Sequence, residues 1–208
     1  MQLKSNSFEN NGRIPEQCAF GIMDPVDHMQ LGANRNPQLS WSGVPEAAKS
    51  LVLLCIDPDV PSSAENINQE GKTIAADLPR VDFTHWAMID IAAKDSSIAE
   101  GECSDSVTAG GKKSPAGPGN SRQGINDYTS FMAGDADMGG EYFGYDGPCP
   151  PWNDERLHHY HFILYATDLD SCPVQDTFTA DDVKRAIESH ILAEARLIGT
   201  YSLNPEIR

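Results

Sequence analysis

Ser50-Leu-Val-Leu-Leu-Cys-Ile-Asp-Pro-Asp59 is the stretch on which the fold turns. An unbroken apolar run of this length suits a strand buried on both faces. Asp57-Pro-Asp59 closes it, because a proline lacks the N–H that would continue the ladder. Two later stretches read as its neighbours. Thr84 to Ile91 alternates, with His85, Ala87, Ile89 and Ile91 on one face and Thr84, Trp86, Met88 and Asp90 on the other. His158 to Ala166 places His158, Tyr160, Phe162 and Leu164 on one face and His159, His161, Ile163 and Tyr165 on the opposite one. Leu39 to Ser42 and Glu16 to Gly21 are weaker strand candidates. Thr179-Ala-Asp-Asp resembles a capping box with Asp in the last place, and Val183, Ile187, Ile191, Ala195 and Ile198 recur at helical spacing, predicting a C-terminal amphipathic helix that ends before Gly199.

The chain has 208 residues, 39% apolar and 22% charged, with 17 glycines and 14 prolines. That length supports one buried core without a composition break, and the turn residues favour a mostly β domain. A formal charge of -16 repels phosphate backbones and anionic lipid surfaces, so binding to nucleic acid is not expected, and no stretch approaches the roughly 20 apolar residues that membrane insertion needs. The five cysteines have neither CxxC nor zinc-type spacing, and no apolar stretch follows Met1, which together suit reduced thiols and a cytoplasmic location. From roughly Gly101 to Arg156 the chain is rich in Gly, Pro, Asn and Asp, well beyond the about 12 to 15 residues of an ordinary connection.

Similar polar chemistry gathers at three strand ends: Asp57 and Asp59 after the first, His85 entering the second, His158 and Tyr160 entering the third. Such groups avoid burial unless they are paired or face a ligand, so the pattern fits either a binding cavity or a satisfied hydrogen-bond network. Gly147-Pro-Cys-Pro-Pro151 just upstream removes three backbone donors and reads as a stiff wall or a rigid turn. At least one of the bonds before Pro148, Pro150 and Pro151 is expected to be cis. Gly71-Lys-Thr73 lacks the leading glycine of a phosphate-binding loop, and the histidines of His158-His-Tyr-His161 split between two faces, against a zinc site built from that run.

Asp57-Pro-Asp-Val-Pro61, Phe83-Thr-His-Trp86, Gly147-Pro-Cys-Pro-Pro151 and Leu157-His-His-Tyr-His-Phe162, in this order, resemble the signature series of the phosphatidylethanolamine-binding protein (PEBP) family, in its bacterial and archaeal, Raf kinase inhibitor-like branch. Leu39-Ser-Trp-Ser-Gly-Val-Pro45, Gly124-Ile-Asn-Asp-Tyr128 and Gly199-Thr-Tyr201 add to it, and the resemblance covers nearly the whole chain. It implies a sandwich of two antiparallel sheets with a few peripheral helices, a homodimer, and a small pocket for phosphate, acetate, phosphoethanolamine or related groups. Carried over by position, the pocket residues are Asp57, Asp59, His85, Gly147, Pro150, Pro151, His158 and Tyr160, whereas His159 falls where the family varies. Thr129 to Glu141 departs from the family as an insertion at the pocket mouth, where Arg122, Asp135 and Asp137 are placed to reshape access.

The expected function is binding of a small phosphate-type or zwitterionic ligand, free or on a protein partner such as a kinase, with no metal and no cofactor. The alternative is a hydrolase or other enzyme with His85 or His158 as general base and Asp57 as its orienter. The absence of a nucleophile elbow or a metal triad from the sequence favours binding over catalysis. Both histidines are expected to be raised in pKa by the aspartates and to supply the positive charge that meets an anion.

Overall fold

The computed structural model describes residues 1–207. Its strands are β1 (Gln2–Lys4), β2 (Gly12–Arg13), β3 (Gly21–Asp24), β4 (His28–Leu31), β5 (Leu39–Ser42), β6 (Ser50–Pro61), β7 (Arg80–Ala92), β8 (Ser96–Ile98), β9 (Arg122–Gln123), β10 (His158–Thr167) and β11 (Ile191–Tyr201). The α-helices are α1 (Tyr128–Phe131) and α2 (Ala180–Ile187). A six-stranded sheet runs β2-β11-β10-β6-β7-β9, antiparallel except between β2 and β11, and a second sheet runs β1-β5-β8. β3 and β4 form a separate hairpin. No helix among the described residues is long and apolar enough to cross a membrane.

β6 is buried on both faces because each face has its own cover. Leu51, Leu53 and Cys55 pack with Leu3, Leu39, Trp41 and Ile98 of the second sheet, and with Phe162, Leu164 and Leu197 of the long one. Val52, Leu54 and Ile56 pack on the other side against Phe178, Val183 and Ile187. The fold is therefore a mostly β sandwich with α2 on its outer face. The Thr179 hydroxyl accepts from the Asp182 N–H while the Asp182 carboxylate accepts from the Thr179 N–H, so the Asp completes the capping box.

Several sequence expectations are corrected. The helix stops at Ile187, and Ile191–Tyr201 is a strand paired along β10 with Ala195, Leu197, Gly199 and Tyr201 turned inward. The apolar spacing fits either period over so short a stretch, and covering the open edge of β10 decides for the strand. Pro58 does not end β6. The strand continues to Pro61 through a bulge between Asp57 and Val60, where a missing N–H is tolerated and where the Asp57 side chain accepts from the Asp59 N–H (2.8 Å). Glu16–Cys18 is a short 3-10 turn, and extended structure begins only at Gly21.

β7 carries two further bulges. Asp90, at φ 61°, shifts the register so that Ile91 joins Trp86 and Met88 in the inner core, not Ala87 and Ile89. The second bulge, between the Cys55–Trp86 and Ile56–Thr84 pairs, leaves His85 as the extra residue. A bulge re-aims a side chain, and His85 accordingly lies with Trp86 on the inner side, its ring centroid 5.1 Å from that of Tyr160.

Candidate functional site

Because β6 is antiparallel to both β7 and β10, its C-terminal end lies beside the N-terminal ends of the other two. The polar ends of all three strands thereby meet at one edge of the sheet, around a cavity of about 280 Å³. Asp57, His85, His158 and Tyr160 form its floor, with Pro150 and Pro151 as one wall. Six of the eight residues named from the sequence therefore line it. The other two do not. The Asp59 carboxylate turns to Arg156 (Nε, 2.6 Å) and to the N–H and Nδ1 of His159 (3.0 and 2.8 Å). Gly147 lies behind the wall, where its N–H donates to Asn34 and its carbonyl accepts from Tyr128.

The proline wall contains no cis bond, contrary to expectation; among the described residues every peptide bond is trans. Its course is set by pairing instead of isomerism: the Pro148 carbonyl accepts from the N–H groups of Phe20 and Gly21 (2.9 and 3.1 Å), which lays the wall along the start of β3.

The two histidines do different things. His158 is fully buried, with Nδ1 2.6 Å from Asp57 and Nε2 3.2 Å from Asp154. Carboxylates only accept, so both ring nitrogens donate and the ring is an imidazolium. Burial opposes its charge, but Asp57 and Asp154 prevail and raise its pKa to about 9. Asp154 is also held by both terminal nitrogens of Arg80, so that carboxylate, imidazolium, carboxylate and guanidinium form one buried row with balanced charge. Neither nitrogen of His158 is left for a ligand.

His85 donates from Nδ1 to the carbonyl oxygen of Asp146 (2.7 Å). A carbonyl can only accept, so the proton of the neutral ring sits on Nδ1 and Nε2 keeps a lone pair. Burial pushes its pKa below the usual value, against the pull of Asp57, Asp127 and Asp146. The expectation that both imidazoles are raised thus holds for His158 and fails for His85, whose ring has a carbonyl as its partner, not a carboxylate. Of the pairings proposed for catalysis, that of Asp57 with His158 is present but leaves His158 no free nitrogen to act as a base, and that with His85 is absent, a backbone carbonyl orienting its ring instead.

Among the described residues the buried hydroxyl of Tyr160 has no hydrogen-bond partner, and Tyr160 lines the cavity. Burial holds its pKa well above the usual value, so it remains a donor. Among the described residues no lysine or arginine lines the cavity, whose remaining lining is largely apolar, with Val60, Pro61, Ala64, Ile67, Phe83 and Phe131 beside the uncharged polar Ser62 and Asn68.

Four supporting residues were not singled out from the sequence. Asp146 is fully buried, accepting from Asn34 and Lys112 on one oxygen and Asn126 on the other, all at 2.8 Å, and its backbone brackets His85. Asp154 and Arg80 close the ion row, and Phe131 reaches the mouth from α1. The Tyr145-Asp146 pair beside the proline motif was the available signal for the first; the others are brought in by loops. Arg122 points away from the mouth, bonding Asp90 and the Cys172 carbonyl, and Asp135 accepts from the N–H groups of Asp137 and Met138 within its own turn. Phe131 is the one residue of the inserted stretch that lines the cavity.

Comparison with known proteins agrees with this architecture. A family model for phosphatidylethanolamine-binding protein matches residues 4–202. A UPF0098 protein of Methanothermobacter thermautotrophicus is 34% identical over 201 residues, covering 97% of this chain and 98% of the relative, and one of Chlamydia muridarum is 32% identical with the same coverage. Among solved structures, a putative PEBP homologue from Chlamydia trachomatis has a TM-score of 0.63 at 28% identity, covering 97% of this chain and 96% of that one. Escherichia coli YbcL, at 24% identity and 97% coverage of each chain, shares the fold with a TM-score of 0.67. With its motifs in order, its strand ends gathered at one cavity and nearly its full length matched, the chain belongs to the phosphatidylethanolamine-binding protein family.

Proposed function

We propose that the cavity binds a small phosphate-type or zwitterionic ligand and is not an active site. The observation that carries this reading is the buried Tyr160 hydroxyl, which lacks a partner on the floor of the cavity. An unpaired buried donor costs about 1 to 3 kcal/mol, a cost that an incoming acceptor removes. The uncommitted Nε2 of His85 stands on the same floor. The same head group carried on a protein partner would make the chain a regulator of that partner, the role that the Raf kinase inhibitor-like label suggests.

The chemistry sets the conditions of binding. With His158 neutralised by its row and no lysine or arginine among the described residues of the lining, an anion meets no standing positive charge there. It must arrive with its own proton or ammonium, or place a proton on His85 Nε2. The free His85 has a lowered pKa and is neutral at pH 7, so the bound anion favours the protonated ring and affinity falls as pH rises.

Titration calorimetry of phosphate and phosphoethanolamine between pH 6 and 8 tests the reading. Phosphate is expected to bind at roughly millimolar strength, about 4 kcal/mol, tightening toward pH 6, with phosphoethanolamine less dependent on pH. His85→Ala should lose roughly tenfold or more in phosphate affinity; His159→Ala, whose ring is engaged with Asp59, should not. Equal losses in the two variants, or tighter phosphate binding toward high pH, would sink the assignment.

A further inference from the structure

We infer that Phe131 is a specificity-determining residue, which selects ligands that carry a compact apolar substituent, aryl above all, on the phosphate-type head group. The inference rests on the proposed head-group site and goes beyond it to the other half of the ligand.

α1 is clamped in place through its N-terminal end. Asp127 accepts from the Thr84 N–H through its carboxylate (2.7 Å) and donates its own N–H to the Thr84 carbonyl (3.0 Å), which ties the helix beside Phe83 and His85 on β7. Tyr128 anchors it inward, stacked on Phe20 at 4.4 Å and donating to the Gly147 carbonyl (2.8 Å). The segment that follows closes on itself, with Thr129 accepting from the Tyr142 N–H and Tyr142 donating to the Met138 carbonyl. One helical turn after Tyr128, Phe131 is consequently held over the mouth, edge-on to Phe83 (6.4 Å) and Tyr128 (6.3 Å).

A phenylalanine so firmly placed is nevertheless 59% exposed. The same cavity is lined by Pro61, Ala64, Ile67, Pro150 and Pro151, with Ser62 and Asn68 as uncharged polar neighbours. The space between them and the floor matters as well: about 280 Å³ is the volume of about nine liquid waters at about 30 Å³ each. A bare phosphate on the floor would leave most of that space to water against apolar walls. An aryl group on the phosphate would fill it, cover Phe131, and add an edge-to-face contact to a ring pair already in place.

Calorimetry at pH 6 with inorganic phosphate and phenyl phosphate tests this on the full chain. The native protein should bind phenyl phosphate about tenfold more tightly than phosphate. In Phe131→Ala the ratio of the two affinities should fall about fivefold or more, and Phe131→Trp should restore it. Because the side chain is exposed, an unchanged thermal midpoint is expected and guards against misfolding. Phosphate binding with no preference for phenyl phosphate, or a ratio untouched by Phe131→Ala, overturns the inference and leaves the head-group site standing. Failure of both probes to bind the native protein overturns both.

Discussion

Two imidazoles stand on one cavity floor, and their hydrogen-bond partners give them opposite charge states. His158, between two carboxylates, is a fixed cation and positions Asp57, whereas His85, against a carbonyl, is neutral and keeps a lone pair. Tyr160 completes the trio with a donor that nothing in the protein uses. Tyr160→Phe should therefore raise the stability of the ligand-free protein by about 1 kcal/mol, since it removes an unsatisfied buried group. It should also weaken phosphate binding by about tenfold. Urea unfolding and calorimetry on the same variant check the two halves; a loss of stability would mean that the hydroxyl already has a partner, such as a trapped water.

At the scale of the element, the bulges of β6 and β7 build the site. Without the extra residue at His85, strict alternation would send its ring to the outer face, beneath α2 with Ala87 and Ile89. α2 has a different task, covering that outer face, and its start depends on the reciprocal bonds of Thr179 and Asp182. Thr179→Ala is expected to cost about 1 kcal/mol of stability and to leave the phosphate affinity unchanged, because the helix packs on the face away from the cavity. Denaturant midpoints with and without phosphate would reveal the separation. A parallel loss of affinity would show that the two faces of the sheet are coupled.

At the scale of the whole molecule, the row Asp57–His158–Asp154–Arg80 ties together β6, β10, the loop before it and β7. His158 has a pKa of about 9 in the fold against 6.5 for the ordinary group, so the stability it contributes is complete below pH 6.5 and is lost as pH rises through about 9. Between pH 6.5 and 7.5, before cysteines of the unfolded chain ionise, the protein should lose on the order of 1 kcal/mol. Urea midpoints across that window should show this slope, and His158→Gln should flatten it; an equal slope in the variant would place the titration elsewhere. Much of this architecture is legible in the residues themselves. The apolar run at 51–56 suits a strand buried on both faces, and the alternation after His158 assigns Tyr160 and Phe162 to one side, because side-chain direction along a strand follows from local geometry. The motifs in order carry the family and most of the cavity lining. Other features depend on pairing between distant segments. Only the fold shows that residues 191–201 complete the sheet and are not helix, since the open edge of β10 outweighs a local period. Only register shifts turn His85 inward, and only Arg156 and His159, brought alongside by the chain's return, draw Asp59 away from the cavity. The charge of each histidine was decided in the same way, by whether folding set a carboxylate or a carbonyl against its ring.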